Sequence, residues 1–435
     1  MFLLFSGLQA QEKQKSFKDA FKASLVITSD FSYEFKKEGL QKSEIILKPE
    51  FTYRLNRKSK FVLKGQLYNE LNDNLEAGVP SETTVSGMSK RLFIGDRTNL
   101  ELRELYFYTN IKNKLRLTIG KQQIVWGETD GLKLLDVVNP QNFREFILDD
   151  FEDSRIPLWS LKLEFDINNI GVQFVWIPDN TYHITQGSDA PFFTKNLFQS
   201  PPEGISSHLN RVTKPSRFIV DSDIGIKLST FTKGWDLSLN YFYYYDDLPV
   251  FYNKLQLTET NNPIIVISPE FKRQHLIGGT FNKVFGSSTF RGELTYIFNQ
   301  NFSSTSPNSN LGIETSNVFK STIGVDYLKG ENIISAQLFT NIISKNISPY
   351  NRDKFETNTS LKVYRELMND YLTAETLWVH NANHGDGSIK PQVSYWMNTN
   401  TQLFLGSSIF YGNETKLFGQ FKDRSRISLG MRWGI

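Results

Sequence analysis

The chain has 435 residues, 49 basic and 46 acidic side chains, a net charge of +3 and no cysteine. The charges are scattered without a basic block, which argues against a nucleic-acid surface, and the missing cysteines exclude disulfides, thiolate nucleophiles and Cys-metal centres together. Aromatic residues reach 14%, with 35 Phe and 18 Tyr, while only 39% of the chain is hydrophobic; rings concentrated on an otherwise polar chain are unusual for a soluble enzyme.

The first residues, MFLLFSGLQAQEK, form a short apolar run before Ala10 and Gln11. It reads as the end of a secretory signal that lacks a positively charged start. Residues 1–20 are therefore expected to be residual signal and N-terminal periplasmic segment, and 21–435 a single barrel domain. No stretch approaches the roughly 18 uninterrupted apolar residues that a membrane helix requires, so a chain that spans a membrane must do so with strands.

From residue 21 onward apolar and polar residues alternate with a period of two, and helical periodicity is scarce. In KGWDLSLNYFYYYD (233–246), Trp235, Leu237, Leu239, Tyr241, Tyr243 and Tyr245 share one face, and Asp236, Ser238 and Asn240 the other. About 18 such segments are expected, near 21–35, 43–55, 60–71, 98–111, 114–126, 159–167, 170–177, 217–230, 233–246, 270–284, 287–300, 318–328, 331–344, 355–368, 371–382, 388–398, 400–411 and 425–435.

The connections alternate between short and long. NRKS (56–59), NN (168–169) and GSS (286–288) are tight turns, whereas 72–97, 127–158, 178–216, 247–269 and 301–317 are long and rich in Asn, Ser, Pro, Gly and Asp. An even strand number with short turns at one end and long loops at the other is the pattern of an outer-membrane barrel. A soluble sandwich would instead need polar outward faces on both sheets. Here the polar face carries Lys48, Glu50, Arg54, Arg116, Lys162, Glu164, Asp221, Asp223, Lys227, Arg291 and Glu293, and the opposite face is studded with aromatics. A polar lumen and a lipid-facing exterior account for both. Trp159, Trp176, Trp235, Trp396 and Trp433 fall near strand ends, where indole rings favour the membrane interface.

The sequence offers little chemistry. Five histidines are few for a metalloenzyme, and HNANHGD (380–386) sits at a hairpin tip, where turn residues explain it better than a metal does. DDFED (149–153) matches no calcium-loop spacing and reads as a solvated acidic stretch paired with Arg144 and Arg155. No GxSxG, Walker A, GxGxxG or HExxH motif occurs. No catalytic, cofactor or metal site is expected, and a lipid hydrolase built from distant residues on a barrel is the lesser alternative.

One stretch departs from the alternation. After Leu115, Leu117 and Ile119, outward parity passes to Lys121 and Gln123, while Ile124 and Trp126 take the inward parity. The following thirty residues contain Leu132, Leu134, Leu135, Val137, Val138, Phe143, Phe146, Ile147 and Leu148. A loop this long and apolar should pack against something, and the barrel interior is the economical place. Gly127 and Gly131 permit bends, and Asn139-Pro140 favours a turn.

Gly120-Lys121-Gln122, Trp126-Gly127-Glu128 and Val138-Asn139-Pro140, preceded by ELRELYFY (101–108), resemble a signature of an uncharacterised family of porin-like outer-membrane proteins. The family is linked with RND-type exporters of lipids or hydrophobic compounds and is distantly similar to alginate-export porins. The specific match covers about residues 100–165; elsewhere the resemblance is one of barrel pattern, and the final Ile435 departs from the terminal Phe of many such barrels.

The expected protein is an all-β, transmembrane antiparallel up-and-down barrel of about 16–18 strands with an inward-folded loop, in the outer membrane of a Gram-negative bacterium. It would be a channel for small or amphipathic molecules, narrowed by residues 127–158. Trp126, Glu128, Asp130, Asn139, Pro140 and Arg144 would form the constriction, with Arg116, Lys162, Glu164, Arg291 and Glu293 on the lumen wall. Expected partners are outer-membrane lipids, the barrel-assembly machinery and, as the resemblance implies, an RND-type exporter. A surface receptor or adhesin with a closed barrel is the alternative.

Overall fold

The computed structural model describes residues 20–112, 114–195, 204–259, 261–345, 347 and 352–435; the signal-like stretch 1–19 lies outside them. Eighteen of the described strands close into one antiparallel barrel. In chain order they are β1 (Phe21–Glu34), β2 (Gly39–Arg54), β3 (Ser59–Glu70), β4 (Thr98–Ile111), β5 (Leu115–Gln122), β6 (Leu158–Ile167), β7 (Ile170–Ile177), β8 (Asp223–Thr232), β9 (Trp235–Tyr245), β10 (Arg273–Phe285), β11 (Ser288–Ser303), β12 (Ile313–Lys329), β13 (Asn332–Ile343), β14 (Phe355–Leu367), β15 (Leu372–Asn381), β16 (Asp386–Trp396), β17 (Thr401–Tyr411) and β18 (Arg426–Gly434). Each pairs with its neighbour in sequence, and β18 returns to β1 in register from Val26↔Gly434 to Glu34↔Arg426. Closure leaves no free edge, so each of the eighteen strands has a ladder partner on both sides.

The alternation seen in the sequence is the alternation of the wall. Outward-facing Leu239, Ile323, Leu405 and Leu429 are 56%, 48%, 50% and 59% exposed, whereas inward-facing Asn240 and Thr322 are buried. An apolar band exposed around a whole barrel marks a surface built for a non-aqueous medium. Prolines within the wall sit where the ladder skips. Between β2 and β3 the pairing passes from Leu47↔Leu67 to Glu50↔Lys64, bypassing Pro49, which has no N–H to give.

At one end the connections have two to four residues. Lys233 and Gly234, both left-handed with φ of 49° and 80°, make the two-residue turn between β8 and β9, the geometry that matches strand twist. At the other end the connections include 71–97, 123–157, 178–222 and 246–272, but also the tight turns 35–38 and 382–385. Strict alternation of short and long therefore gives way at those two turns.

Three further expectations are corrected. The long connection at 247–269 contains a hairpin, Val250–Leu257 with Pro263–Glu270, extended by Ser206–Leu209 into a small separate sheet. Asp221 does not face the lumen, because β8 begins only at Asp223; its carboxylate instead caps a rim turn, accepting from the Ser216 and Arg217 N–H groups and the Arg217 guanidinium. Trp396 takes the inward parity, paired through Gln402 with Arg432, and lines the central cavity rather than the outer interface.

Candidate functional site

Residues 123–157 leave β5 and cross the barrel interior, touching inward side chains of β2, β7, β11, β13 and β16. Local chemistry fixes the crossing. Asn139 closes the loop on itself: its Oδ1 accepts from Ile124 N–H at 2.7 Å and its Nδ2 donates to Ile156 O at 2.9 Å. Pro140, buried beside it, offers its carbonyl to Ile156 N–H at 2.8 Å. Gly131 takes a φ of 83°, a left-handed bend that a side chain would strain. A Cβ on Gly127 would lie 2.9 Å from the Asp136 nitrogen, so the two arms of the loop approach there because nothing projects between them.

One side of the loop is apolar. Ile124, Trp126, Leu134, Leu135 and Val138 pack against Val175 and Ile177 of β7, Phe242 and Tyr244 of β9, Leu276 of β10 and the tops of β11–β13. Trp126, 1% exposed, meets Phe242 edge-to-face at 5.5 Å and donates its Nε1–H to Gln173 Oε1 at 2.7 Å. The wall is hollowed to receive it. Added Cβ atoms on inward Gly225 and Gly278 would lie 2.5 Å from Trp126 and 2.4 Å from Leu135. Beneath this seam the Glu293 carboxylate accepts from the N–H groups of Glu128 and Leu135, and Arg291 donates to Glu128 O and pairs with Asp130 and with Asp326.

The opposite side is ionic. The Glu145 carboxylate is buried among Lys42 of β2 at 2.7 Å, Arg144 at 3.3 Å and Arg426 of β18. Lys42 also reaches Asp30 at 2.9 Å and Glu44 at 2.8 Å, and Arg144 reaches Glu44 at 3.3 Å while stacking on the Tyr68 ring at 4.4 Å. Burial alone would raise the Glu145 carboxyl; Arg426, Lys42 and Arg144 outweigh it and hold it well below the usual carboxylate range. Burial and repulsion by Glu145 push neighbouring Asp149 up to about 7. Farther along, Lys48 pairs with Asp153 at 2.5 Å, and Lys390 donates to Leu148 O at 2.6 Å. Between this side of the loop and β1–β4 with β14–β18 lies a polar cavity of about 410 Å³.

Aromatic residues secure the loop from the long-loop end. Phe146, left-handed at φ 58°, projects into Phe418 and Phe421 of the 412–425 connection at 5.8 and 4.8 Å, joined by Leu148, Phe192 and Phe410. Phe143 packs on His183 at 5.0 Å, whose Nδ1 accepts the Gln141 N–H at 2.8 Å. Burial, then Lys133, lowers His183 to about 3, so it is a neutral acceptor throughout the physiological range.

The structure thus gathers Trp126, Glu128, Asp130, Asn139, Arg291 and Glu293 around the apolar seam and places Arg144 in the ionic one. Arg116, Lys162 and Glu164 lie lower on the wall, pairing locally: Arg116 with Asp166 at 3.5 Å and Lys162 with Glu164 at 3.4 Å. Arg116, Glu164 and Glu128 border a smaller cavity of about 300 Å³. Of the acidic stretch, Asp149 lies beside Arg144, but Arg155 pairs with Asp136 at 2.7 Å. Among the described residues no His/Cys/Asp/Glu group is placed to hold a metal; His380 meets Tyr411 at 3.0 Å and His384 meets Asp353 at 3.2 Å. Sequence reasoning missed Lys42, Glu145 and the 412–425 connection as loop anchors. The available signals were an acid-base pair, Arg144-Glu145, set between Phe143 and Phe146, and the inward parity of Lys42 and Arg426.

Residues 68–421 match a family described as "Protein of unknown function (DUF1302)". No curated protein matches in sequence. Among solved structures the chain is similar to Acinetobacter baumannii OccAB2, at 10% identity over 97% of this chain and 99% of that one with a TM-score of 0.56. It is also similar to Pseudomonas aeruginosa OccK2 (OpdF) in complex with glucuronate, at 11% identity, 97% and 99% coverage and a TM-score of 0.55. A third is Acinetobacter baumannii OccAB3, at 10% identity, 96% and 99% coverage and a TM-score of 0.54. At these identities the likeness is one of fold.

Proposed function

We propose that this chain, which belongs to the DUF1302 family, is a channel in the outer membrane of a Gram-negative bacterium, passing small or amphipathic molecules by diffusion through a polar lumen narrowed by residues 123–157. The observation that carries the reading is the unequal seating of the loop. It seals one wall with apolar side chains and leaves a cavity of about 410 Å³ lined by charged and hydroxyl side chains against the other. A path bordered by both signs of charge favours hydrated solutes without strong ion selectivity, and no covalent step is assigned to any residue. The solved OccK2 structure, similar in fold, holds glucuronate, a small charged solute of the class proposed here. Partnership with an RND-type exporter is part of the same proposal and rests on the resemblance carried by residues 100–165.

Liposome swelling tests it. Vesicles containing the refolded protein should swell in small neutral and charged solutes and resist larger oligosaccharides. No swelling, and no open-channel current in planar bilayers, would overturn the channel in favour of a closed receptor or adhesin. That second reading draws on the loop's anchorage to both walls and on the separate sheet formed by Ser206–Leu209, Val250–Leu257 and Pro263–Glu270.

A further inference from the structure

Above β5–β8, on the outer side of the rim, the 71–97 and 178–222 connections come together in a way that lumen transport does not explain. Trp159 and Trp176 both take the outward parity. Their indole N–H groups point into the connections: Trp159 donates to Met88 O at 3.1 Å and Trp176 to Ser222 Oγ at 2.9 Å. Met88, Phe218, Ile219 and Val220 project beyond them, 60%, 58%, 73% and 63% exposed, with Phe218 edge-to-face on Trp176 at 5.5 Å. A run of three exposed apolar residues on a rim turn is costly in water. It continues the apolar outer face through outward Ile224 of β8.

Immediately alongside, Lys90, Arg211 and Lys214 line one open cavity of about 290 Å³. None of the three forms an ion pair among the described residues; Lys214 instead donates to Val85 O. Glu82 also borders the cavity, but it is held by Arg91, at 2.5 Å, which takes Glu76 as well, at 2.7 Å. Three cations therefore face one opening whose lining carboxylate, Glu82, is already paired with Arg91, an excess of positive charge that a ligand anion would relieve. Burial, then the neighbouring Lys90, depresses the Lys214 amine, and the opposing pull of Asp179 does not offset them.

We propose that this rim is a docking surface for a phosphorylated, anionic membrane lipid, its phosphate held by Lys90, Arg211 and Lys214 and its chains lying against Phe218, Ile219 and Val220. The proposal rests on the membrane placement proposed above. The lipid, rather than free phosphate, is the occupant because the cations adjoin exposed apolar side chains that a small ion leaves uncovered. Indoles sit where headgroup and acyl chain meet, and each basic side chain near an anionic surface contributes about fivefold in affinity.

The test uses the refolded full chain in neutral detergent, titrated with phosphatidic acid, phosphatidylcholine or inorganic phosphate and read by native mass spectrometry. Wild type should retain phosphatidic acid in preference to phosphatidylcholine, and millimolar inorganic phosphate should not displace it. Lys90→Gln/Arg211→Gln/Lys214→Gln should weaken retention on the order of 100-fold with unchanged single-channel current. Phe218→Ser/Ile219→Ser/Val220→Ser should weaken it while leaving the current intact. Equal retention by wild type and the triple cation variant, or displacement by inorganic phosphate, would overturn the lipid site. A protein that inserts into vesicles with either result leaves the membrane placement standing, whereas one that fails to insert at all removes that placement.

Discussion

The two faces of the 123–157 loop are held by different physics. On the β7–β13 side Trp126, Leu134, Leu135 and Val138 are locked into apolar wall side chains, packing that is itself insensitive to salt and pH, with the Glu293 carboxylate and the Arg291–Asp130 pair beneath it. On the β1–β4 and β16–β18 side the contact is a cluster of Asp30, Lys42, Glu44, Arg144, Glu145 and Arg426, whose strength depends on every member keeping its charge. We infer that the apolar side would act as the hinge and the ionic side as the latch. A loop freed at the ionic seam would stay attached through the apolar one, and the polar cavity would widen on the ionic side.

Breaking the apolar seam should have the largest effect. Trp126→Ala removes a fully buried indole and leaves Gln173 without its donor; a loss of about 3–5 kcal/mol is expected, read as a lowered unfolding midpoint and as new protease cleavage within 123–157. Gly278→Leu, which drives a side chain into Leu135, should expose the same segment by overpacking. Glu145→Gln attacks the latch instead. It leaves Lys42 and Arg426 short of a counter-charge at a cost of about 3 kcal/mol, and should raise single-channel current and shift selectivity toward anions with little change in the folding of the wall. Asn139→Ala removes the two hydrogen bonds that close the loop's base, for a smaller loss of about 2 kcal/mol, measured in the same proteolysis assay.

The subtlest probe is pH. Because Asp149 is raised to about 7, its neutral form is favoured in the folded state. The stability it contributes is full below the ordinary carboxylate value near 4 and is lost as pH rises through about 7. Lowering pH from 8 to 5 should therefore tighten the latch, remove one negative charge from the cavity and shift the reversal potential toward anions. Asp149→Asn should flatten that response, and a wild-type response that persists in the variant would assign the titration elsewhere.

The wall was legible because its code is local. A period of two places each side chain on the lipid or lumen face without knowledge of any partner, and segments such as 98–111 and 170–177 coincide with β4 and β7 to the residue. The inward course of the loop was legible for a related reason: Leu134, Leu135, Phe146 and Leu148 had to be covered, and each is. What local pattern cannot carry is pairing across distance. Arg426 and Glu145 stand 281 positions apart, and nothing near either names the other. Trp396 shows the same limit: a Trp at a strand end favours an interface, but strand register turned this one inward. Asp221 was misassigned because the alternation runs past the point where the chain has already left the barrel for a capped turn.

The loop's role as the constriction is tested most directly by single-channel conductance in planar bilayers of the wild type and of a barrel lacking residues 132–148. The deletion removes Leu134, Leu135, Arg144, Glu145 and Phe146 together while sparing the strands. A several-fold rise in conductance is predicted. Equal conductance in the two proteins, or none in either, would contradict the account.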